Sequence, residues 1–170
     1  LAASYFFYMS WNVWLGFLMF VTCLVAYLCS LLISRTEKKK VKKLGLAIAV
    51  VFCLGVLIFF KYINFLLENL TGVIRLFGGE IDDISLNILL PVGISFYTFQ
   101  TLSYVIDVYR GDFEAEKHFG YFALFVSFFP QLVAGPIERP GKLLPQLKEE
   151  RKFRKEYFTE GMEFLLIGFF

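Results

Sequence analysis

Five residues in the apolar stretch from 89 to 111 could carry polar chemistry, because their spacing places them on one face of a helix. At about 100° per residue, successive intervals of four and three residues keep them within an arc of roughly 80°. They combine a glycine, two phenols, an amide and a carboxylate, so they form a polar stripe along an otherwise apolar helix. The residues of this polar stripe are Gly93, Tyr97, Gln100, Tyr104 and Asp107.

The polar stripe has two interpretations that its spacing does not separate. An ionisable side chain inside a membrane is costly and marks a functional site by default, so the stripe could line a cavity that meets a substrate. Alternatively, Gln100 hydrogen-bonds a neighbouring helix and Asp107 pairs with Arg110 near the interface. Apolar residues in the other directions are expected to face lipid: Val92, Ile94, Phe96, Phe99, Leu102, Val105, Ile106 and Val108.

The composition is that of an integral membrane protein. Hydrophobic residues make up 58% of the sequence and mean hydropathy is +0.64, an apolar share above that of ordinary soluble domains. The net charge of +2 is too small to indicate a nucleic-acid partner. The three cysteines lie in apolar runs without the spacing of a zinc site, so we predict no metal centre.

Three apolar runs are long enough to span a bilayer: residues 13–34, 44–67 and 88–109. The first reaches roughly 33 Å at about 1.5 Å per residue, which matches the hydrocarbon thickness. Residues 1–8 predict the end of an earlier span. The basic run at 35–43 marks the cytosolic side, whereas the acidic segment 68–85 predicts a loop outside.

The stretch that follows predicts a broken, re-entrant segment. Residues 119–129 are too few to cross a membrane, and the prolines of "PQLVAGPIERP" (130–140) prevent a continuous helix. Irregular backbone at membrane depth must line protein or a water-filled cavity. Residues 140–155 predict a short surface piece, and another apolar helix begins at 157. The predicted fold class is therefore all-α, a polytopic transmembrane helix bundle with a re-entrant segment.

Two long motifs resemble one known family. "LLPVGISFYTFQTLSYVIDVYRG" and "FALFVSFFPQLVAGPIERPGKLLPQL" are similar, in order and spacing, to the alginate O-acetyltransferase branch of the membrane-bound O-acyltransferases. "LAASYFFYMSWN" and "EGMEFLLIGFF" fit as well, so the resemblance covers nearly the whole chain. It implies that residues 1–170 are the N-terminal part of a single domain, incomplete at both ends.

The resemblance implies a bacterial inner-membrane enzyme that encloses a tunnel. An acyl group from a cytosolic donor, acetyl-CoA or an acyl carrier, would pass to an outside hydroxyl of alginate or another envelope polysaccharide, with separate periplasmic accessory proteins taking part. The catalytic histidine of the family is expected beyond Phe170, so no catalytic residue is expected in residues 1–170 and the isolated chain is expected to be inactive. The single histidine, His118, lies in a predicted cytosolic loop.

Residues with expected roles fall into two groups, one at the tunnel wall and one at an entrance. For each group, core packing or helix-end anchoring is the simpler alternative. Hydrogen bonders and turn residues expected to line the tunnel are Tyr97, Gln100, Tyr104, Gln131, Gly135 and Pro136. Charged residues expected at an entrance or in a structural role are Asp107, Arg110 and Arg139, the last of which could meet an anionic donor carrier.

Two other functions fit the same residues. A transporter or channel also uses discontinuous helices near the midplane, although neither motif recurs within residues 1–170. A non-catalytic membrane scaffold would explain why the chain holds no complete catalytic set.

Overall fold

The computed structural model of the chain describes residues 1–10, 12–77, 86, 89–132, 135–150 and 153–170. These residues form helices and connections, and none of them lies in a strand, in agreement with the predicted all-α class. The helices, in chain order, are α1 (Ala2–Met9), α2 (Val13–Arg35), α3 (Lys39–Leu76), α4 (Ile94–Arg110), α5 (Phe119–Val126), α6 (Phe129–Leu132), α7 (Pro140–Lys148) and α8 (Lys155–Phe169).

Helices α2 and α3 are long and apolar enough to cross a membrane. The side-chain oxygen of Asn12 accepts from the backbone N–H of Trp14 at 2.9 Å and so caps the start of α2. The bounds of α2 confirm the span predicted at 13–34. The prediction of a loop from residue 68 is wrong up to residue 76, because α3 continues there.

In the extra turns of α3, polar side chains hydrogen-bond to backbone carbonyls of the same helix. The Asn69 side chain donates to the carbonyl of Phe65 at 2.6 Å, and the Thr71 hydroxyl donates to that of Glu68 at 2.9 Å. These local bonds allow polar residues to continue a helix. The 38 residues of α3 reach roughly 57 Å, well beyond the hydrocarbon layer. Residues 78–85 of the predicted loop lie outside the described residues.

A ridge of mostly small residues brings α3 close to α2. The buried positions Gly45, Ala49, Cys53 and Leu57 recur every four residues along one face of α3. A Cβ atom at Gly45 would lie 3.0 Å from Cγ1 of Ile33 in α2. Small residues on such a ridge permit close helix approach where lipid supplies no hydrophobic driving force.

Helix α4 is shorter than the predicted span 88–109. It begins after Gly93, whose φ of 73° is left-handed, and ends before Gly111, whose φ is 83°. A left-handed residue cannot continue a right-handed helix, so residues 89–93 of the predicted span are not helical. The Pro91 carbonyl instead accepts from Ile94 N–H at 3.2 Å in a turn.

The prediction of a broad lipid-facing surface on α4 is wrong in part. Phe96 and Phe99 are exposed, but four of the residues expected to face lipid are buried: Ile94, Leu102, Val105 and Val108. The reason is tertiary, since α4 contacts four other helices, α2, α3, α5 and α6. A helix surrounded in this way has apolar contacts over most of its circumference.

The predicted interruption after α5 is confirmed. Helix α5 ends at Val126, α6 is a single turn that contains Pro130, and α7 begins only at Pro140. The amphipathic piece predicted at 140–155 corresponds to α7 and its connection, and the helix predicted from 157 corresponds to α8. No described residue of α8 is buried, and Phe170, which follows the helix, is fully exposed.

Candidate functional site

A small cavity lies between α4, the end of α5, and the chain that follows α6. Five of the residues expected from the sequence to line a tunnel surround it: Tyr97, Gln100, Gln131, Gly135 and Pro136. Its volume is about 10 Å³, roughly the space that one water molecule needs. The tertiary structure therefore brings one helix face and the proline-rich turn together at one point.

Gln100 is the main polar link across this cavity. Its Nε2 donates to the Phe125 carbonyl at 3.3 Å, and its Oε1 accepts from the backbone N–H of Glu138 at 3.2 Å. The side chain is 6% exposed, so both bonds lie in an apolar interior, where an unpaired partner would be costly. Gln100 thus joins α4 to α5 and to the turn, as the interhelical interpretation expects, while it also lines the cavity.

Two glycines allow the backbones around the cavity to approach closely. A Cβ atom at Gly93 would lie 2.1 Å from the carbonyl oxygen of Leu132, the last residue of α6. A Cβ atom at Gly135 would lie 2.9 Å from Cα of Gln131. Only a residue without a side chain fits at these two positions, so they determine how tightly the turn closes on α4.

Several buried side-chain oxygens of α4 and α6 have no hydrogen-bond partner among the described residues. They are the hydroxyls of Tyr97, Thr98 and Thr101 and the Oε1 atom of Gln131. A hydroxyl buried without a partner costs about 1–3 kcal/mol, and a polar ligand could provide the missing bond. Tyr97 and Gln131 line the cavity, whereas Thr98 and Thr101, which lie outside the spacing of the polar stripe, do not.

Tyr104 does not line the cavity. Its hydroxyl accepts from the backbone N–H of Glu116 at 2.6 Å, and its ring packs against Phe122 with centroids 4.6 Å apart. Tyr104 therefore holds the connection between α4 and α5, residues 111–118, against the bundle. A tunnel-lining role for Tyr104 remains a prediction, and the position of its side chain away from the cavity does not favour that role.

The charged residues expected at an entrance do not form one cluster. Asp107 is buried and Arg110 is exposed, and no ion pair joins the two in the part of the chain that the structure describes. Arg139 is exposed and directly precedes α7. The pairing of Asp107 with Arg110 that the simpler interpretation expects is therefore not observed.

The single histidine lies away from the cavity at Gln100. His118 is exposed and directly precedes α5, and it is not among the residues that line the cavity. The expectation that the catalytic histidine lies beyond Phe170 concerns a region outside residues 1–170, so it stays a prediction. Within the described ranges, no group of histidine, cysteine, aspartate or glutamate residues could hold a metal ion.

An ion pair that the sequence did not predict anchors the α4–α5 connection. Glu116 is 8% exposed, pairs with the Lys148 ammonium at the end of α7, and accepts from the backbone N–H of His118 at 3.1 Å. Burial raises the pKa of the Glu116 carboxyl, but Lys148 and the backbone donors more than offset it, so the pKa lies below its ordinary value. The carboxylate is therefore the favoured form.

The chain is similar to named acetyltransferases over nearly its whole length. It is 39% identical over 170 residues to the probable alginate O-acetylase AlgI of Azotobacter vinelandii, which covers 99% of this chain and 34% of the relative. The protein of the same name from Pseudomonas aeruginosa is also 39% identical, with 99% and 32% covered. The peptidoglycan O-acetyltransferase of Helicobacter pylori is 31% identical over 194 residues, with 99% and 36% covered.

No family model and no solved structure matches the chain. The chain spans about a third of the length of the curated relatives it matches. The similarity nevertheless includes the polar stripe, the broken segment and both long motifs, since it extends over 99% of the chain. The similarity to these named acetyltransferases over nearly the whole chain therefore confirms the resemblance to the alginate O-acetyltransferase branch of the membrane-bound O-acyltransferases.

Proposed function

We propose that the whole protein transfers an acetyl or similar short acyl group to hydroxyls of an exported or cell-envelope polysaccharide. The observation that carries this proposal is the 39% identity, over 170 residues, to a protein named probable alginate O-acetylase. No comparable similarity to a transporter supports the transport alternative. The acceptor proposed is alginate or another envelope glycan, because relatives named for alginate and for peptidoglycan both match.

Acyl transfer to a hydroxyl requires a base, donors for the developing oxyanion and exclusion of water. The base removes the acceptor proton, the acceptor oxygen bonds to the acyl carbon, and the bond from that carbon to the donor breaks. Residues 1–170 are proposed to supply the wall of the reaction space, with the base provided by a histidine beyond Phe170, in the later region where the family carries it. The buried Gln100 amide and the buried Tyr97 hydroxyl, both of which line the cavity, suit a polar wall that admits little water.

The finer parts of the proposal concern the donor, the accessory proteins and the membrane. The donor is proposed to be acetyl-CoA or an acyl carrier on the cytosolic side, and accessory acyl-transfer proteins are proposed to act outside. The protein is proposed to be a multi-pass protein of the bacterial inner membrane. The two helices that could cross a membrane and the basic residues that follow α2 support this placement.

The experiment is complementation of a deletion strain, with the acyl content of the isolated polysaccharide as the readout. The whole protein is expected to restore acylation, and Gln100→Met is expected to reduce it strongly, because both Gln100 bonds that close the cavity are lost. Lys142→Met places the same residue type on the exposed surface of α7 and is expected to retain acylation. The amount of each variant in the membrane is measured by immunoblot.

Two results would refute the proposal. One is an unacylated polysaccharide when the whole protein is present in the membrane and a named relative restores acylation in parallel. The other is solute uptake into proteoliposomes that needs no acyl donor, which would favour the transporter alternative.

A further inference from the structure

A second and larger cavity is lined by a different set of residues. It forms where α2 ends, where α3 begins and where residues 111–118 fold back over these ends, and its volume is about 430 Å³. It shares no lining residue with the cavity at Gln100. The cavity is large enough for a small ligand, since such sites typically enclose about 300–1,000 Å³.

The lining of this cavity combines cations with apolar residues. Arg35, Lys42 and Lys117 line it together with one carboxylate, Glu114, and buried Ile33 and Val108 are among the apolar lining residues. None of the three cations has an ion pair or side-chain hydrogen bond within the described residues. Like charges gathered around one cavity repel one another, so an anion would relieve an unfavourable arrangement.

The site is a product of the tertiary structure and not of the basic run alone. The run 35–43 contains six cations, yet only Arg35 and Lys42 line the cavity. The third cation, Lys117, belongs to a distant segment that two contacts hold in place. The hydroxyl of buried Tyr27 donates to the Lys117 carbonyl at 2.5 Å, and the neighbouring Glu116 is held by its ion pair with Lys148.

We infer that this cavity binds a phosphate group carried on an apolar tail. Arginine pairs with phosphate oxygens through two N–H groups and lysine acts as a point charge. The buried apolar lining residues suit the hydrocarbon attached to such a phosphate, and basic pockets between membrane helices are known to bind anionic head groups. The phosphate is that of an anionic membrane lipid, and binding measurements separate it from a soluble phosphate compound.

The test uses the whole protein purified in detergent and two ligands. Dioleoyl phosphatidylglycerol represents the lipid source, with phosphatidylcholine as the neutral reference, and coenzyme A represents the soluble source. The cavity variant is Lys42→Gln with Lys117→Gln. The control variant, Lys39→Gln with Lys43→Gln, removes the same charge from exposed positions that do not line the cavity. Lys42→Arg with Lys117→Arg retains the charge and is expected to retain binding, and size-exclusion chromatography of each variant checks that it folds.

The cavity variant is expected to lose about tenfold or more in affinity for phosphatidylglycerol, and the control to change by less than about twofold. A selective loss of phosphatidylglycerol binding would support the lipid head group, whereas a loss confined to coenzyme A would overturn the inference. Equal losses in the cavity and control variants, or no preference of the unmodified protein for phosphatidylglycerol over phosphatidylcholine, would also overturn it. The result does not depend on the proposed function, because acyl transfer is not measured.

Discussion

Replacement of Gly93 by alanine tests the close approach on which the Gln100 cavity depends. The added Cβ would lie 2.1 Å from the Leu132 carbonyl oxygen, more than an ångström short of ordinary contact. The left-handed φ of 73° costs a residue with a Cβ about 1–2 kcal/mol. Displacement of a packed backbone adds about 1–3 kcal/mol. Gly93→Ala is therefore expected to lower the free energy of unfolding by roughly 2–5 kcal/mol.

The chain contains a matched control at the other end of α4. Gly111 has a φ of 83° and no atom within 4 Å of the Cβ position. Gly111→Ala therefore carries only the conformational cost of about 1–2 kcal/mol. Both substitutions reduce the freedom of the unfolded chain to the same degree, so the difference between them isolates the clash with Leu132.

Thermal denaturation of the whole protein in detergent, followed by size-exclusion chromatography, measures this difference. Gly93→Ala is expected to have the lower midpoint and to reduce polysaccharide acylation at a temperature where both variants remain folded. Acylation should fall because the backbone of α6 must move away from α4 and open the cavity. Equal midpoints for Gly93→Ala and Gly111→Ala would refute the close approach of α4 and α6.

Three further predictions follow from single contacts. The pKa of Glu116 is lowered from 4.5, so its ion pair with Lys148 stabilises the fold above that pH and is lost as the pH falls through the lowered pKa. The thermal midpoint of the unmodified protein should therefore fall more on acidification below about pH 5 than the midpoint of Glu116→Gln. Asn64 exchanges two hydrogen bonds with the Leu86 backbone, at 2.9 and 3.0 Å, so Asn64→Leu should speed proteolytic cleavage between α3 and α4, and an unchanged rate would contradict this. Three free thiols are buried and should react with maleimide only after denaturation, a result that mass spectrometry can check: Cys23, Cys29 and Cys53.

Features that depend on local composition could be predicted from the sequence. The bounds of α2 follow from an apolar run that ends in a basic one, since the transfer of side chains into lipid depends on their own chemistry. The break after α5 follows from prolines that cannot continue a helix. The end of α3 could not be predicted in the same way, because its polar residues bond within the helix and do not end it.

The candidate site could be predicted only in part. The spacing of the polar stripe indicated that Tyr97 and Gln100 share a face, and the prolines indicated a turn near Gly135. The partners of Gln100 lie 25 and 38 residues away in the chain, and no local pattern determines such a distance. Tyr104 shares the same face but lies away from the cavity, because the connection after α4 folds over it.

The sequence by itself determined the membrane class and the places where helices must break, because hydropathy and proline geometry act locally. The tertiary structure decided that Gln100 links three segments, that Gly93 lies against Leu132, and that Lys117 joins Arg35 and Lys42 around one cavity. These juxtapositions depend on how helices pack and how a distant connection folds back. Packing is a property of the whole set of contacts and cannot be derived from any one stretch of residues.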